Sequence, residues 1–177
     1  MTCVVGVAYN GKVYMGGDSA AADEHNSFVS TRKEPKVFIK GDYLIGYAGS
    51  FRFGKVLEHT FIPPKLNDDN LDRFLNTIFI DSIRQYCEEA KVDPSSEQDS
   101  AEMLLGVNGR LFEFCNDWHF GEDSNNFNCI GSGSQFAMGS LFSTRRIRSP
   151  HARIKTALEA SERFSPSVSG PFTILEV

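Results

Sequence analysis

The chain lacks several features that would assign it to a broad class of proteins. It has no apolar run approaching the roughly 20 residues of a membrane-spanning helix, and no basic segment followed by an apolar core, which would indicate a signal peptide. These absences predict a cytoplasmic protein. With 18 basic against 23 acidic side chains, the net charge is −5, which argues against a general binding surface for nucleic acid.

Cysteine and histidine are few and scattered. The four cysteines have no CxxC spacing, so the sequence predicts neither a disulfide framework nor a zinc site. The four histidines are far apart and suggest no ligand set. The segment Gly131-Ser132-Gly133-Ser134 lacks the lysine of a phosphate-binding P-loop. We therefore expect no metal and no organic cofactor.

The first eighteen residues predict a β-hairpin that brings functional groups together. Asn10 and Gly11 separate two apolar runs, which is the strongest short-range signal for a two-residue type I′ turn. Antiparallel pairing around this turn places Asp18 opposite Cys3 and therefore close to Thr2. A hydroxyl and a carboxylate are thus predicted at the open end of one hairpin.

Thr2 is a candidate nucleophile because of its position in the chain. Met1 is followed by a residue as small as threonine, so we expect removal of the initiator methionine to leave Thr2 with a free α-amine. An α-amine has an ordinary pKa of roughly 7.7 to 8.0, so a sizeable fraction is neutral near pH 7. Such an amine can take the hydroxyl proton. The alternative interpretation is that Thr2 is a β-branched residue that opens a strand.

A second hairpin is predicted around the two-residue loop Gly41-Asp42. Its register sets Lys36 opposite Tyr47, again at the open end of the hairpin. Lys36 is interpreted either as an ordinary solvated lysine or as a partly buried ammonium beside Asp18. In the second case its positive charge would favour a deprotonated hydroxyl and lower the pKa of the nearby amine.

Four segments resemble the proteasome β subunit and bacterial HslV group of N-terminal-nucleophile (Ntn) hydrolases. They are TCVVGVAYNGKVYMGGDS, EPKVFIKGDYLIGYAGS, CIGSGSQFAMGSL and SVSGPFTILEV, and their order and spacing match the family over nearly the whole chain. The resemblance implies an α+β fold, a four-layer αββα sandwich, in a single Ntn-hydrolase (proteasome-like) domain over residues 1–177. The pattern of strands and helices alone indicates only mixed α and β structure.

The resemblance also implies the roles of five residues. Thr2 falls on the family's nucleophile, Asp18 on its catalytic aspartate and Lys36 on its catalytic lysine. Gly49 falls on the glycine whose backbone N–H forms the oxyanion hole. Ser132 falls on the serine that helps orient the terminal amine.

One part of the family pattern is missing from this sequence. The family commonly has an aspartate near the start of the last segment, hydrogen-bonded to the serine that matches Ser132. Two alignments of that segment put Arg163 or Pro166 at this place, and neither is a carboxylate. Glu162 is a further candidate to substitute for the aspartate.

The sequence thus predicts a threonine-type endopeptidase subunit that cleaves peptide or unfolded protein substrates through an acyl-enzyme intermediate. The implied partners are further copies of the chain in a homo-oligomeric ring and a regulatory ATPase, with no nucleic acid and no membrane. Two alternatives stay open. One is a catalytically silent ring or scaffold subunit, and the other is a small-molecule amidase of the same fold.

Several structural expectations can be tested directly. Apolar periodicity and capping residues predict helices at 51–61, 69–90, 134–143 and 150–163. Residues 110–115 are predicted to be a short, less regular hairpin arm, and 116–127 a loop. In that loop Trp118 and Phe120 either line a groove or, more simply, pack.

Apolar side chains on the first two predicted helices exceed what one inner face requires. Phe53, Phe61 and Phe79 are examples, and they are candidates for contacts between subunits. The alternative is that they fill a core between helices and sheet.

Overall fold

Two antiparallel sheets lie face to face between two layers of helices. The computed structural model describes residues 2–23, 28–66, 70–115 and 117–177. The predictions about Met1 and about a helix start at residue 69 lie outside these described residues. In the described part of the chain, no helix is long and apolar enough to cross a membrane.

The first sheet has four strands. In spatial order they are β10 (Phe127–Ile130), β1 (Val4–Tyr9), β2 (Lys12–Gly17) and β11 (Thr173–Glu176). Tyr9 lies opposite Lys12, and Val4 lies opposite Gly17. This register is the one predicted from the Asn-Gly turn, and it is confirmed.

The second sheet has five strands. In spatial order they are β5 (Val37–Lys40), β6 (Tyr43–Gly49), β7 (Ala101–Val107), β8 (Arg110–Cys115) and β9 (His119–Glu122). Lys40 lies opposite Tyr43, so the register of the second predicted hairpin is confirmed.

The predicted hairpin arm at 110–115 is confirmed as β8, and it is a regular strand of six residues because it pairs with β7 on one side and β9 on the other. One expectation about strands was wrong. The segment predicted as a loop contains β9, whose polar sequence gives no local sign of that pairing. A separate two-stranded sheet of β3 (Ala20–Asp23) and β4 (Phe28–Thr31) was not predicted.

Helices cover the outer face of each sheet. They are α1 (Phe51–Lys55), α2 (Leu71–Phe74), α3 (Ile80–Ala90), α4 (Ser134–Ser143) and α5 (Pro150–Phe164). A π-helical turn, Val56–Thr60, extends α1, and a second one, Leu75–Phe79, joins α2 to α3. The four predicted helices are therefore confirmed, except that Asn70 caps the second one and its first helical residue is Leu71.

Three hydrophobic clusters establish the order of the layers. One joins the second sheet to the helices of residues 51–90 and includes Phe79. Another joins the first sheet to α4 and α5, where Val5 packs with Leu158. The third lies between the two sheets and includes Val4 and Leu104. This is the predicted αββα sandwich, in which neighbouring residues of β1 point to opposite sides of their sheet.

The apolar helix residues named above belong to the core. Phe53, Phe61 and Phe79 are fully buried within the single chain, so the expectation that they contact other subunits was wrong. They are needed to fill the space over the five-stranded sheet. Phe120 is also buried, so it packs. The ring of Trp118 packs edge-on against Phe114 with centroids 5.5 Å apart, and it also lines a pocket beside Arg84, away from Thr2.

We predict that Phe79→Ala lowers the free energy of unfolding by about 3–5 kcal/mol, because it leaves a cavity among closely packed rings. Its ring lies 4.9 Å from that of Tyr43 and 5.6 Å from that of Phe61. The matched control is Ile78→Ala in the same π-helical turn, which alters a side chain that is 54% exposed and should cost much less. Urea unfolding measures both, and equal losses would contradict this assignment of the core.

Candidate active site

Thr2 lies two residues before the start of β1, at the open end of the first hairpin, and is only 2% exposed. Its backbone nitrogen donates to Ser132 Oγ at 3.2 Å, and its carbonyl oxygen accepts from the Gly133 nitrogen at 3.1 Å. A Cβ added at Gly131 would come within 2.4 Å of that carbonyl oxygen, so the close approach requires glycine. These contacts hold Thr2 against the loop between β10 and α4.

Asp18 and Lys36 form a completely buried ion pair behind Thr2. Asp18 Oδ1 accepts from Lys36 Nζ at 2.8 Å and from the Cys3 nitrogen at 2.9 Å. Asp18 Oδ2 accepts from the Ala20 nitrogen at 2.9 Å, and Lys36 Nζ also donates to the Ala20 carbonyl at 2.6 Å. The interpretation of Lys36 as a solvated lysine is therefore wrong, and its position beside Asp18 is confirmed.

Burial affects the pKa values of two neighbouring side chains, Lys36 and Cys3, in opposite directions. Burial lowers the pKa of Lys36, and the charge and hydrogen bond of Asp18 oppose that shift. Burial raises the pKa of the Cys3 thiol to about 12, and the thiol donates to Ser161 Oγ at 3.4 Å. Because the thiolate is the reactive form of cysteine, the buried Cys3 thiol is unreactive near neutral pH and serves as a packing residue.

Gly49 ends β6 and lines the same cavity as Thr2. Its φ is +86°, and an added Cβ would lie 2.1 Å from the Ser100 carbonyl oxygen, so only glycine fits. The cavity has a volume of about 310 Å³. Its lining consists of Thr2, Gly49, Ser100, Ala101, Glu102, Gly131 and Ser132. The structure thus brings three of the five predicted site residues to one cavity, with the Asp18–Lys36 pair behind it.

Hydroxyl groups occupy the place where the family pattern has a carboxylate. Ser132 Oγ lies 2.9 Å from Ser167 Oγ, which in turn lies 2.9 Å from Ser165 Oγ. Glu162 instead accepts from the Gly170 nitrogen at 2.8 Å, so the hypothesis that it substitutes for the aspartate was wrong. Sequence reasoning missed both serines for two reasons. A serine has no charge that would mark it as a substitute for an aspartate, and the alignment pointed to Pro166, which lies between the two serines.

Glu102 is a third residue that sequence reasoning missed. Its Oε2 accepts from the Gly131 nitrogen at 2.7 Å, which places a carboxylate on the cavity wall. Glu102 lies in β7 opposite Ala48, next to Gly49. Only the non-local pairing of β6 with β7 brings it to the site.

Within the described ranges, one group of possible metal ligands occurs. It consists of Cys115, Asp117 and His119 on the hairpin of β8 and β9, with donor atoms within 4.8 Å of one another. His119 Nδ1 already lies 2.5 Å from Asp117 Oδ1. This group shares no residue with the cavity that contains Thr2.

Comparison with known proteins agrees with this fold. No family model matches the sequence, and no curated protein matches it. Among solved structures, Thiobacillus denitrificans BPH in complex with epoxomicin matches with a TM-score of 0.83 and 18% identity, over 99% of this chain and 98% of that chain. HslV from Trypanosoma brucei matches with a TM-score of 0.70 and 14% identity, over 99% and 98% of the two chains. Anbu, an ancestral beta-subunit, from Yersinia bercovieri matches with a TM-score of 0.67 and 16% identity, over 99% and 81%.

These similarities define the class of fold. The chain has the fold of the HslV and proteasome-like Ntn hydrolases, as the four sequence segments indicated. The identities are below 20%, so the similarity concerns the fold, and the activity must be argued from the residues of this chain.

We predict that Asp18→Asn destabilises the fold by about 3–5 kcal/mol at neutral pH, because it leaves the Lys36 ammonium buried without a carboxylate. The loss should shrink as the pH rises toward 10.5, the pKa of an ordinary lysine. The sign follows because Lys36 has a lowered pKa in the folded state, so the unfolded chain binds more protons and stability increases with pH.

The control is Glu176→Gln, which removes the partner of an exposed lysine. Lys12 Nζ lies 2.8 Å from Glu176 Oε1, but both side chains are about half exposed, so little stability should be lost. Urea unfolding across a pH series measures both variants. An Asp18→Asn loss that does not change with pH would contradict the role assigned to Lys36.

Proposed function

We propose that this chain is the subunit of a threonine-type endopeptidase whose nucleophile is Thr2. The observation that supports this most is the position of Thr2, next to a buried Asp18–Lys36 pair and on the wall of a cavity that also contains Gly49. A strand-opening threonine with a purely structural role needs neither a buried ammonium nor a cavity.

Each step of the proposed reaction uses a group in this site. After removal of Met1, the α-amine of Thr2 takes the hydroxyl proton, directly or through a water, and the oxygen attacks a peptide carbonyl. The Lys36 ammonium, held by Asp18, stabilises the deprotonated hydroxyl, and the Gly49 N–H donates to the oxyanion. Collapse of the tetrahedral intermediate releases the amine product, which takes up the proton, and leaves an ester on Thr2. Water then hydrolyses the ester and restores the threonine.

One structural neighbour supports a site open to peptide-like ligands. Thiobacillus denitrificans BPH was solved in complex with epoxomicin. By analogy, we propose that the 310 Å³ cavity beside Thr2 receives the substrate residue next to the scissile bond. The Glu102 carboxylate on its wall would favour a substrate group that is neutral or positively charged.

We predict that Thr2→Ala abolishes peptide hydrolysis and leaves fold and assembly intact, because it removes one hydroxyl and little packed volume. Thr2→Ser is the matched control and should retain part of the activity, since it keeps both the hydroxyl and the amine. Hydrolysis of a peptide library measures activity, and the intact mass establishes whether Met1 has been removed. Unchanged hydrolysis by Thr2→Ala would eliminate Thr2 as the nucleophile.

The proposed particle is a closed homo-oligomeric ring or a stack of rings in the cytoplasm, served by a regulatory ATPase. The resemblance to HslV and proteasome β subunits implies this assembly, and the surface offers apolar side chains for it. Ile62, Phe142 and Phe164 are 71%, 56% and 66% exposed in the single chain. A chamber would restrict the peptidase to chains that are threaded into it.

We expect light scattering to give a single mass that is a multiple of 19.7 kDa and does not change with concentration. Thr2→Ala should give the same mass, because the nucleophile makes no assembly contact in this proposal. A monomer of 19.7 kDa at every concentration would contradict the ring and favour the small-molecule amidase. A ring whose subunits all retain Met1 would favour the silent scaffold.

A further inference from the structure

Three serine hydroxyls form a continuous chain from the Thr2 nitrogen into the interior. The nitrogen donates to Ser132 Oγ at 3.2 Å, and the Ser132–Ser167 and Ser167–Ser165 oxygens are each 2.9 Å apart. Ser167 is 3% exposed and Ser165 is 6% exposed. The backbone of Ser165 is fixed at the end of α5, where its nitrogen donates to the Ser161 carbonyl at 2.8 Å.

The geometry restricts which way these hydroxyls donate. A hydroxyl donates one hydrogen bond and accepts up to two. Since Ser132 Oγ accepts from the Thr2 nitrogen, its own proton goes to Ser167 at 2.9 Å or to the Thr2 carbonyl oxygen at 3.4 Å. The shorter contact is the one to Ser167, whose oxygen also lies 2.9 Å from Ser165 Oγ. With either donor order along the serines, Ser132 Oγ keeps a lone pair directed at the Thr2 nitrogen.

Among the residues that the structure describes, the charged groups near Thr2 have other partners. The Asp18–Lys36 pair is internally neutralised at 2.8 Å. Glu102, from β7, is bound to the Gly131 nitrogen, and Glu162, from α5, is bound to the Gly170 nitrogen. The neighbouring thiols, Cys3 and Cys129, are protonated, because burial raises the pKa of each. Arg163 is exposed on the outer side of α5.

We propose that Ser167, supported by Ser165, is a positioning residue that orients Ser132 toward the Thr2 amine without adding negative charge. A carboxylate in its place would favour the protonated amine, which cannot act as a base. The hydroxyl chain therefore lets the base work at lower pH than the family's aspartate would. This inference rests on the function proposed above, and it names the residue that tunes the base of that site.

The test compares three substitutions at one position. Ser167→Asp restores a carboxylate and should move the acidic limb of the kcat/KM profile upward by about one pH unit. Ser167→Ala removes the hydroxyl and should lower kcat about five- to tenfold, the effect of one lost hydrogen bond. Ser167→Thr keeps a hydroxyl and should stay close to the parent in kcat. Ser143→Asp adds the same charge at the exposed end of α4 and should leave the profile unchanged.

A second readout does not require peptidase activity. Competitive labelling with acetic anhydride, followed by mass spectrometry of the N-terminal peptide, measures how the protonation of the Thr2 amine depends on pH. We expect the midpoint to move upward in Ser167→Asp and to stay in place in Ser143→Asp. An unshifted midpoint in a folded Ser167→Asp variant overturns the proposal.

The outcomes for the two proposals are distinguishable. An amine that shifts as expected in a chain that cleaves no peptide supports the role of Ser167 and contradicts the peptidase function. Peptide hydrolysis with equal kcat in Ser167→Ala and Ser167→Thr keeps the peptidase and overturns the role of Ser167. If Ser167→Asp does not fold, the comparison of kcat between Ser167→Ala and Ser167→Thr still tests the role of Ser167. Retention of Met1 overturns both, since Thr2 then has no free amine.

Discussion

The arrangement of the site depends on one buried ion pair that connects the two sheets. Asp18 follows β2 in the first sheet, and Lys36 precedes β5 in the second. Their 2.8 Å contact therefore fixes one sheet against the other beside Thr2 and Cys3, which lead into β1. Removing two charges from water costs several kcal/mol per ion, and the added hydrogen bonds from the Cys3 and Ala20 nitrogens offset part of that cost.

The rest of the site surrounds this charged pair with neutral groups. On the far side of Thr2, the contacts are made by hydroxyls and backbone amides, from Ser132, Ser167 and Gly133. The ammonium of Lys36 is held by Asp18, which also binds the backbone nitrogen of Cys3, the residue after Thr2. The amine, in contrast, meets neutral acceptors, which favour its protonated form less than a carboxylate would. One half of the site would thus stabilise the deprotonated hydroxyl, and the other half would set the pKa of the amine that serves as its base.

Local signals in the sequence were sufficient for the parts of the fold that depend on local geometry. The Asn10-Gly11 turn determined the register that brings Asp18 to Cys3, and helical periodicity located all four helical segments. Such local signals did not predict contacts between residues that are distant in sequence. The pairing of β9 with β8, the approach of Glu102 to Gly131 and the stacking of the sheets all depend on residues distant in sequence.

The candidate site shows the same division between local and non-local information. Hairpin register pointed to Thr2, Asp18 and Lys36, the resemblance added Gly49 and Ser132, and the structure places three of the five on one cavity with the Asp18–Lys36 pair beside it. Ser167 was not named, because the pattern led to an expected carboxylate rather than a hydroxyl. Phe53, Phe61 and Phe79 were candidates for subunit contacts or for the core, and helical periodicity could not decide between the two because it does not reveal the depth of the core over a five-stranded sheet.

The central claim is that one residue supplies both the nucleophile and its base. An α′,β′-epoxyketone peptide tests it most directly, because this group offers two electrophilic carbons to a hydroxyl and an amine on the same residue. We expect mass spectrometry to locate a single adduct on Thr2 and to find it absent after the Thr2 amine has been acetylated. An adduct elsewhere, or no adduct on a chain that has lost Met1, would contradict the account.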